Sequence, residues 1–351
     1  MAMSDVTVMG AGIFGLSVAW CCARRGARVC VVDPYRPGAG ASGGFVGALA
    51  PHTPDMWDEK KEFQLQSLIM AEGFWAEVDL VSGLSSGFRR VGRLQSIADE
   101  RTLALAYARE DSAQKLWCGH AEWRVISAET ANTWANGWVP ESATGCLIHD
   151  TLSARINPRA ALASLTAAIR ARGGEVTTGA PEPKGCVLWA IGYQGLLALS
   201  RTLGKPVGSG VKGQSALLAF DARTMPQLFA DGLHVVAHED GTTAVGSTSE
   251  REFDAPDTLD SQLDRLLLRA ESVLPVLRDA RILERWAGVR PRAKSRAPML
   301  GSDPTRAGHF IANGGFKIGF GMAPKVGEAM ADLMLDGIDN IPASFRVEAS
   351  L

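Results

Sequence analysis

A glycine-rich turn near the N-terminus constrains the fold of this chain more than any other feature. Residues 10–15 read Gly-Ala-Gly-Ile-Phe-Gly, follow the apolar run 5–9 and open a segment, 13–25, that has helical periodicity. A second apolar run, 29–32, ends at Asp33, about 20 residues beyond the turn. A strand, glycine turn, helix and strand within about 30 residues predict a right-handed βαβ unit.

The turn has the pattern G-x-G-x-x-G, which binds the pyrophosphate of a dinucleotide when it joins a strand to a helix. Gly10 permits the tight turn, Gly12 lets the backbone approach the phosphates, and Gly15 allows the helix to pack closely on the strand. The N-terminus of the helix offers unpaired N–H groups and a positive partial charge. Asp33 can accept hydrogen bonds from the adenosine ribose. The motif alone does not distinguish NAD from FAD.

The rest of the pattern predicts a second, sheet-based region inserted into the dinucleotide domain. Alternation over 211–220 and 232–248, with a turn at residues 240–241, predicts antiparallel strands. Residues 34–53 form a long irregular segment rich in Gly and Ala, which inside a compact domain is usually functional. The segments predicted as helices are 60–80, 100–135 (in two pieces), 158–173, 257–282 and 324–336, the last opened by Pro324.

Composition excludes several classes of function. The 351 residues suffice for two domains, and a net charge of −2 creates no field that would recruit nucleic acid or an anionic membrane. There is no apolar run long enough to span a bilayer and no secretory signal at the N-terminus. The six cysteines are scattered without metal-ligand spacing. We therefore expect a cytoplasmic protein with reduced thiols and no metal site.

Residues 40–51 (Gly-Ala-Ser-Gly-Gly-Phe-Val-Gly-Ala-Leu-Ala-Pro) resemble the segment that follows the βαβ unit in the D-amino-acid oxidase superfamily of FAD-dependent oxidoreductases. The glycine oxidase and sarcosine oxidase branches are the most similar. Together with the further matches given next, this segment forms an ordered and specific set that begins at residue 5. Further stretches that resemble the family are 90–94, 156–159, 189–192, 211–214, 245–250, 286–291, 297–301 and 313–324.

The resemblance implies an α/β fold, with a Rossmann-type FAD-binding domain and an inserted α+β substrate domain built on an antiparallel sheet. The FAD-binding domain is expected to comprise residues 1–79, 150–205 and 286–351. The substrate domain is expected to comprise residues 80–149 and 206–285. The expected cofactor is FAD, bound non-covalently because no cysteine follows the Arg-Pro pair at 290–291.

The resemblance also assigns residues to the cofactor. Ser42 is expected to touch the pyrophosphate, while Gly47 and Ala48 pass beside the isoalloxazine ring. The glycine-rich loop 313–324 is expected to lie against the flavin, where glycines let backbone amides approach the ring. The expected cofactor-binding residues are Gly10, Gly12, Ile13, Phe14, Gly15, Asp33, Pro34, Ser42, Gly47, Ala48, Leu49, Ala190, Gly192, Gly288, Arg290, Gly314, Gly315, Phe316, Lys317 and Ile318.

The expected catalytic residues are Arg290 and Lys317. Arg290 holds the place of the family's carboxylate-binding arginine, and a guanidinium group can pair with a carboxylate through two hydrogen bonds. Lys317 matches a lysine of the sarcosine oxidase branch that helps to bind the substrate carboxylate; oxygen activation and a solvated loop position are its other interpretations. His52 receives no predicted role, and Trp286 is expected to pack in the core.

The resemblance implies oxidation of an amino acid or secondary amine. A hydride passes from the substrate α-carbon to flavin N5, the imine product is hydrolysed, and oxygen reoxidises the flavin with formation of hydrogen peroxide. Three alternatives remain open: a D-amino-acid dehydrogenase that uses a quinone or an electron-transfer partner, an enzyme that trims a modified wobble uridine in tRNA, and a flavin-binding protein without activity. The sequence does not define the amine, the electron acceptor or the oligomeric state.

Overall fold

Two large sheets organise the chain in a computed structural model that describes residues 4–135, 137–179 and 182–351. The helices are α1 (Ile13–Arg24), α2 (Glu59–Ser82), α3 (Glu100–Leu116), α4 (Ala128–Asn132), α5 (Pro158–Ala171), α6 (Gly192–Leu203), α7 (Ser261–Val273) and α8 (Gly319–Ala331). The strands are β1 (Val6–Met9), β2 (Val29–Asp33), β3 (Ala48–Leu49), β4 (Arg93–Ser96), β5 (Trp123–Ser127), β6 (Cys146–Asp150), β7 (Ala154–Arg155), β8 (Glu175–Thr178), β9 (Cys186–Trp189), β10 (Gly208–Ala219), β11 (Gln227–Ala230), β12 (Leu233–Ala237), β13 (Thr243–Gly246), β14 (Arg281–Ala293), β15 (Met299–Ser302) and β16 (His309–Asn313).

The first sheet has six strands in the order β15-β16-β9-β1-β2-β8. Strand β1 pairs in parallel with β2 and β9, β16 pairs in parallel with β9, and β15 is an antiparallel edge strand. The carboxyl ends of parallel strands meet at one edge of a sheet, which is where such sheets bind ligands. This edge brings together Gly10, Asp33, Ala190 and Gly314, which end or follow β1, β2, β9 and β16.

Helix α1 is buried on all of its faces. Every residue from Ile13 to Ala23 is buried, because the helix lies between the six-stranded sheet and helices α5 and α8. Close packing of α8 on α1 depends on Gly327, where a Cβ would approach the Cys21 sulfur to 2.8 Å. A helix that is apolar all round is typical of the centre of a domain. The packing fixes the position of the glycine turn at its N-terminus.

The second sheet has eight strands in the order β14-β10-β13-β12-β11-β4-β6-β5. Side chains alternate between its faces. On β12, Leu233 and Val235 join the hydrophobic cluster that includes Leu263 and other residues of α7. Val236 points the other way and packs with Phe45, which belongs to the irregular segment after the βαβ unit. One face of the sheet is therefore covered by α7, while its other face is turned toward the dinucleotide motif.

The structure corrects two of the predicted elements. The segment predicted as a two-piece helix over 100–135 also contains strand β5, which pairs with β6 as the edge of the eight-stranded sheet. The final helix begins at Gly319, so Pro324 lies inside it, and one π-helical turn over Asp332–Asp336 follows. Tertiary packing overrides the weak helix propensity of Gly319 and Gly321.

The division into domains remains a proposal in its details. The strands of the six-stranded sheet all lie within the residues expected to bind FAD. Strand β14, however, runs through the expected boundary between residues 285 and 286, and it pairs with β10 on both sides of that boundary, with one register shift at Leu283. A boundary at the end of β14 would follow the sheets more closely.

Candidate active site

A cavity of about 770 Å³ is lined by residues of both sheets. The carboxyl edge of the six-stranded sheet supplies the residues near the glycine turn, and strands β10, β12 and β14 supply the opposite wall. Most of the site residues predicted from the sequence line this cavity. They are Gly12, Ile13, Phe14, Asp33, Pro34, Ser42, Ala48, Ala190, Gly192, Gly288, Arg290, Gly314, Gly315, Phe316 and Lys317.

Gly10 and Gly15 do not line the cavity; they allow the backbone of the turn to pack closely. Gly10 has a φ of +109°, and a Cβ there would lie 2.5 Å from the carbonyl oxygen of Ala190. A Cβ on Gly15 would lie 2.0 Å from the carbonyl oxygen of Gly10. Both positions therefore exclude a side chain, as the motif requires.

Gly47, Leu49 and Ile318 also lie outside the cavity wall. A Cβ on Gly47 would overlap the carbonyl oxygen of Ile156, so this glycine serves close backbone packing. Leu49 is 1% exposed in the main hydrophobic core, and Ile318 packs against the same core at the start of α8. Contact of these three residues with the cofactor remains a prediction.

Asp33 is held in place by the backbone of the glycine turn. Its Oδ2 accepts a hydrogen bond of 2.8 Å from the N–H of Ala11, and its Oδ1 accepts one of 3.0 Å from the N–H of Tyr35. A carboxylate has about four acceptor positions, so two backbone donors leave capacity for ribose hydroxyl groups. Asp33 thus joins the turn to the place where the ribose of a dinucleotide would lie.

Ser42 reaches the start of helix α1 from the irregular segment. Its hydroxyl oxygen accepts a hydrogen bond of 3.0 Å from the N–H of Ile13, and a Cβ on Gly12 would lie 3.3 Å from this oxygen. Helix α1 has no side-chain cap at Gly12. A helix N-terminus with open amide groups attracts phosphate. The shape and chemistry of this cradle fit the pyrophosphate of FAD.

The late glycine loop faces the same cavity. Gly314 adopts a φ of +76°, and a Cβ on Gly315 would lie 2.9 Å from the ring of Phe14. The side chain of Asn313 donates a hydrogen bond of 2.8 Å to the carbonyl of Gly192 and accepts one of 2.8 Å from the N–H of Gly314. Asn313 therefore ties the loop to the turn that follows β9, and it brings both within reach of one elongated ligand.

Arg290 is 9% exposed and lies on β14. Its Nη2 donates to the Ser247 hydroxyl at 2.7 Å, and its Nη1 donates to the carbonyl of Thr248 at 3.3 Å. Gly213 on the neighbouring strand makes room for the guanidinium group, because a Cβ there would lie 2.0 Å from Nη2. Burial lowers the pKa of Arg290 to about 10, against a smaller opposing effect of Glu250. Among the described residues, Arg290 forms no salt bridge.

The nearby carboxylate of Glu250 is committed to another cation. It is buried and forms an ion pair of 3.1 Å with Lys212, and it accepts hydrogen bonds from Gln214 at 3.0 Å and from Thr248. This network fixes the segment that gives Arg290 its two acceptors. Arg290 lines the cavity, and its guanidinium group has further donors that an anion could accept.

His234 is a site residue that the sequence analysis missed. It lies on β12 in the cavity wall, and its ring packs against Phe229 with the centroids 4.8 Å apart. Burial, with the positive charges of Arg93, Lys317 and Arg290, lowers the pKa of His234 to about 3. The imidazole is therefore neutral at ordinary pH. Its position in the alternation of 232–248 was the one available signal, and that pattern does not say which face meets a ligand.

Lys317 lies in the cavity wall beside the glycine loop. Partial burial of its ammonium group lowers the pKa of Lys317, and the charge of Arg290 lowers this pKa further. Its Nζ lies 5.8 Å from the centroid of Phe316, whose backbone is left-handed with a φ of +43°. The N–H of Phe316 donates to the carbonyl of Pro291 at 3.0 Å, which joins this loop to the end of β14.

Trp286 departs from the sequence analysis, whereas His52, which received no predicted role, does not. Trp286, expected in the core, is half-buried and lines the cavity, where its ring would lie 3.0 Å from a Cβ on Gly44. His52 lies outside the wall and is held by Gln64, whose side-chain oxygen accepts its backbone N–H at 2.7 Å. The structure thus gives Trp286 a place at the site and His52 a structural contact.

None of the described helices combines the length and apolar character needed to span a bilayer. The described His, Cys, Asp and Glu side chains form no group of three or more that could hold a metal ion.

Comparison with known proteins matches residues 5–333 to the family model described as FAD dependent oxidoreductase. The glycine oxidase of Pseudomonas putida is 29% identical over 99% of both chains. The crystal structure of glycine oxidase from Geobacillus kaustophilus superposes with a TM-score of 0.86, at 20% identity and 98% coverage of both chains. The structure of iminodiacetate oxidase from Chelativorans sp. BNC1 gives a TM-score of 0.83, at 22% identity, over 97% of this chain and 98% of the other. These likenesses show the expected fold, with a Rossmann-type dinucleotide domain.

Proposed function

The chain belongs to the FAD-dependent oxidoreductase family, and on this basis we propose that it oxidises an amino acid or secondary amine that carries a carboxylate. The observation that carries the proposal is the position of Arg290, a buried cation in the cavity wall without a carboxylate partner among the described residues. The proposal places the adenine dinucleotide over the glycine turn and the flavin ring toward the late glycine loop. The substrate then lies between the ring and β14.

A buried charge without a partner is costly, so a protein retains one where a ligand supplies the opposite charge. Ser247 and Thr248 satisfy two of the five N–H donors of Arg290. A carboxylate can accept two of the others in parallel, which fixes both the position and the orientation of a small substrate. The proposed role of Arg290 is to hold the substrate α-carbon at a constant place in the cavity.

When bound, FAD would supply the acceptor for a hydride from the substrate α-carbon. Water would hydrolyse the resulting imine to an oxo acid and an amine or ammonia, and oxygen would take the electrons to form hydrogen peroxide. The chain's own residues prepare the substrate for this step. Arg290 and Lys317 create a positive potential in the cavity, and His234 is neutral. A positive potential disfavours the ammonium form of the substrate and so favours the free amine, whose lone pair assists departure of the hydride.

The names of the similar proteins support this class of substrate. The relatives from Pseudomonas putida and Pseudomonas aeruginosa are glycine oxidases, and the second is 28% identical over 94% of both chains. The structural neighbour from Chelativorans is an oxidase of iminodiacetate, a secondary amine. Binding of FAD is proposed to be non-covalent, because the described residues that line the cavity include no cysteine.

We also propose that the protein works in the cytoplasm, on a small molecule. The six cysteines form no disulfide in the structure, and burial raises the pKa of Cys22 to about 12. Unreactive free thiols are typical of a reducing compartment. Cell fractionation with an antibody against the chain tests the location.

The proposed function is tested by an anaerobic screen of the purified yellow protein. Glycine, sarcosine, D-amino acids and N-alkyl amino acids are added in turn, and bleaching of the visible flavin band reports reduction. We expect at least one of these carboxylate-bearing amines to bleach the band, and air to restore the colour with formation of hydrogen peroxide. Restoration by a quinone but not by air would show a dehydrogenase instead. A band that none of the amines bleaches would contradict the proposal.

A further inference from the structure

We propose that the substrate carries a second anionic group, and that Lys317 binds this group where the cavity adjoins a second depression on the surface. The inference rests on the proposed function and narrows its substrate class. The substrate would be a secondary amine or an amino acid with two acidic ends. Arg290 would hold one end, beside the reacting carbon, and Lys317 the other.

The depression has a volume of about 370 Å³ and shares Ser247 and Lys317 with the wall of the main cavity. Its lining includes three cationic side chains, Arg265, Arg269 and Lys317, and one carboxylate, Asp231. A concave surface with an excess of one charge concentrates ligands of the opposite charge. The depression therefore favours an anionic group over a neutral or cationic one.

The three cations differ in what already binds them. Arg269 is paired with the carboxylate of Asp231 at 2.8 Å and donates to the carbonyl of Ala230 at 3.1 Å. Arg265 donates to the hydroxyl of Ser261 at 3.0 Å. Lys317 has the aromatic ring of Phe316 beside it and, within the described part of the chain, no hydrogen-bond acceptor. Lys317 is thus the cation at the junction whose three donors are open to a ligand.

No carboxylate among the described residues forms a salt bridge with Arg290 or Lys317. Arg290, Lys317 and His234 line the same cavity. The charge of Arg290 lowers the pKa of Lys317, and both charges lower the pKa of His234. A substrate with one carboxylate supplies one negative charge to this space. A substrate with two anionic groups balances both cations, and each anion can have a cation of its own.

A matched pair of substrates isolates the charge of the second group. N-(2-carboxyethyl)glycine and its terminal amide have nearly the same length and shape, and they differ in one negative charge. We expect the acid to be oxidised with a kcat/KM about tenfold higher than that of the amide, since a hydrogen bond between charged partners contributes that much at a partly solvated site. In Lys317→Gln we expect this ratio to fall to about two. The ratio should also fall in the wild type at high salt, because the site is open to solvent.

Arg292→Gln is the control variant. Arg292 lies 5.7 Å from the ring centroid of Phe316 but lines neither cavity, and its replacement removes the same charge. The acid-to-amide ratio should stay at the wild-type value in this variant. A wild-type ratio near one, or a ratio that persists in Lys317→Gln, would overturn the inference. A loss of kcat/KM in Lys317→Gln that is equal for acid and amide would show instead that both cations bind one carboxylate.

A binding measurement separates this inference from the proposed function. Succinate and its monoamide are not amines, so their binding does not depend on turnover. Calorimetric titration of the wild-type protein should give a dissociation constant about tenfold lower for succinate than for the monoamide, and Lys317→Gln should remove the difference. If this preference is found and no amine bleaches the flavin, the anion site stands and the proposed function fails. If amines bleach the flavin and succinate has no advantage, the function stands and this inference fails.

Discussion

The two ends of the cavity are built in different ways. At the dinucleotide end, the backbone provides most of the surface: Gly12 exposes the chain, the open N-terminus of α1 provides amide groups, and Asp33 is fixed by the N–H of Ala11 at 2.8 Å. At the substrate end, side chains provide it. Arg290, Lys317 and His234 come from β14, the late loop and β12, and none of the three has a charged partner among the described residues.

This difference separates what binds the cofactor from what selects the substrate. The glycine turn is continuous in sequence and is braced by the side chains of Asp33 and Ser42. A turn of this kind binds the same dinucleotide in many proteins. The substrate end holds uncompensated positive charge in a partly buried space, and its chemistry depends on the particular side chains. Changes at the first end should therefore affect retention of FAD, and changes at the second should affect turnover with FAD retained.

The largest effect is expected from Gly15→Ala. The new Cβ would lie 2.0 Å from the carbonyl oxygen of Gly10, a backbone atom that cannot move without opening the turn. We expect FAD affinity to fall by about 100-fold or more, so that the protein purifies without colour. The bound flavin is measured from the visible absorption per chain. Gly73→Ala in helix α2 is the control, since a Cβ there meets no atom within 4 Å, and it should keep its FAD. A fully yellow Gly15→Ala protein would contradict the assignment of this turn.

Arg290→Ala should give the converse result. The variant should retain FAD, while kcat/KM for a carboxylate-bearing amine falls by about 100-fold, because the buried anchor of the carboxylate is lost. Stopped-flow reduction under anaerobic conditions measures the effect. Arg285→Ala on the same strand is the matched control: this arginine is exposed and paired with Asp264, and its loss should leave the rate unchanged. Normal reduction by Arg290→Ala would remove Arg290 from the substrate end.

Asp33→Ala should lower FAD affinity at the dinucleotide end less than Gly15→Ala does. The variant loses an acceptor for the ribose and the brace on the N–H of Ala11, and we expect FAD affinity to fall about tenfold. Equilibrium dialysis of FAD measures the change. Asp33→Asn keeps one side-chain oxygen and should lie between the wild type and the alanine variant. A tenfold loss of kcat in Asp33→Ala protein saturated with FAD would contradict the proposal that the two ends of the cavity act separately.

The smallest effect is expected from His234→Gln. The pKa of His234 is lowered to about 3, so the imidazole stays neutral from pH 5 to pH 8 and its protonation does not change there. We expect a change in kcat/KM of roughly threefold and no change in the shape of the pH profile. A wild-type inflection near pH 6.5 that disappears in the variant would show that His234 titrates and that the substrate end is less positive than described.

Features that depend on a short contiguous stretch of residues could be predicted from the sequence. The βαβ unit, Ser42 and the glycine loop could be placed because each depends on a contiguous pattern. Strand β5 was missed because its edge position depends on pairing with β6, and the start of α8 was misplaced because two glycines resemble a loop. His234 reaches the site through the pairing of β12 with its neighbours, which no local pattern reveals.

The position of a carboxylate ligand tests the central claim most directly. A crystal structure of the protein with FAD and glycolate, an analogue of glycine in which a hydroxyl group replaces the amine, would locate both ends of the cavity at once. We predict that the pyrophosphate lies at the N-terminus of α1, within hydrogen-bond distance of Ser42 or the turn, and that both oxygens of the carboxylate meet the guanidinium group of Arg290. A pyrophosphate bound elsewhere, or a carboxylate away from Arg290, would contradict the account.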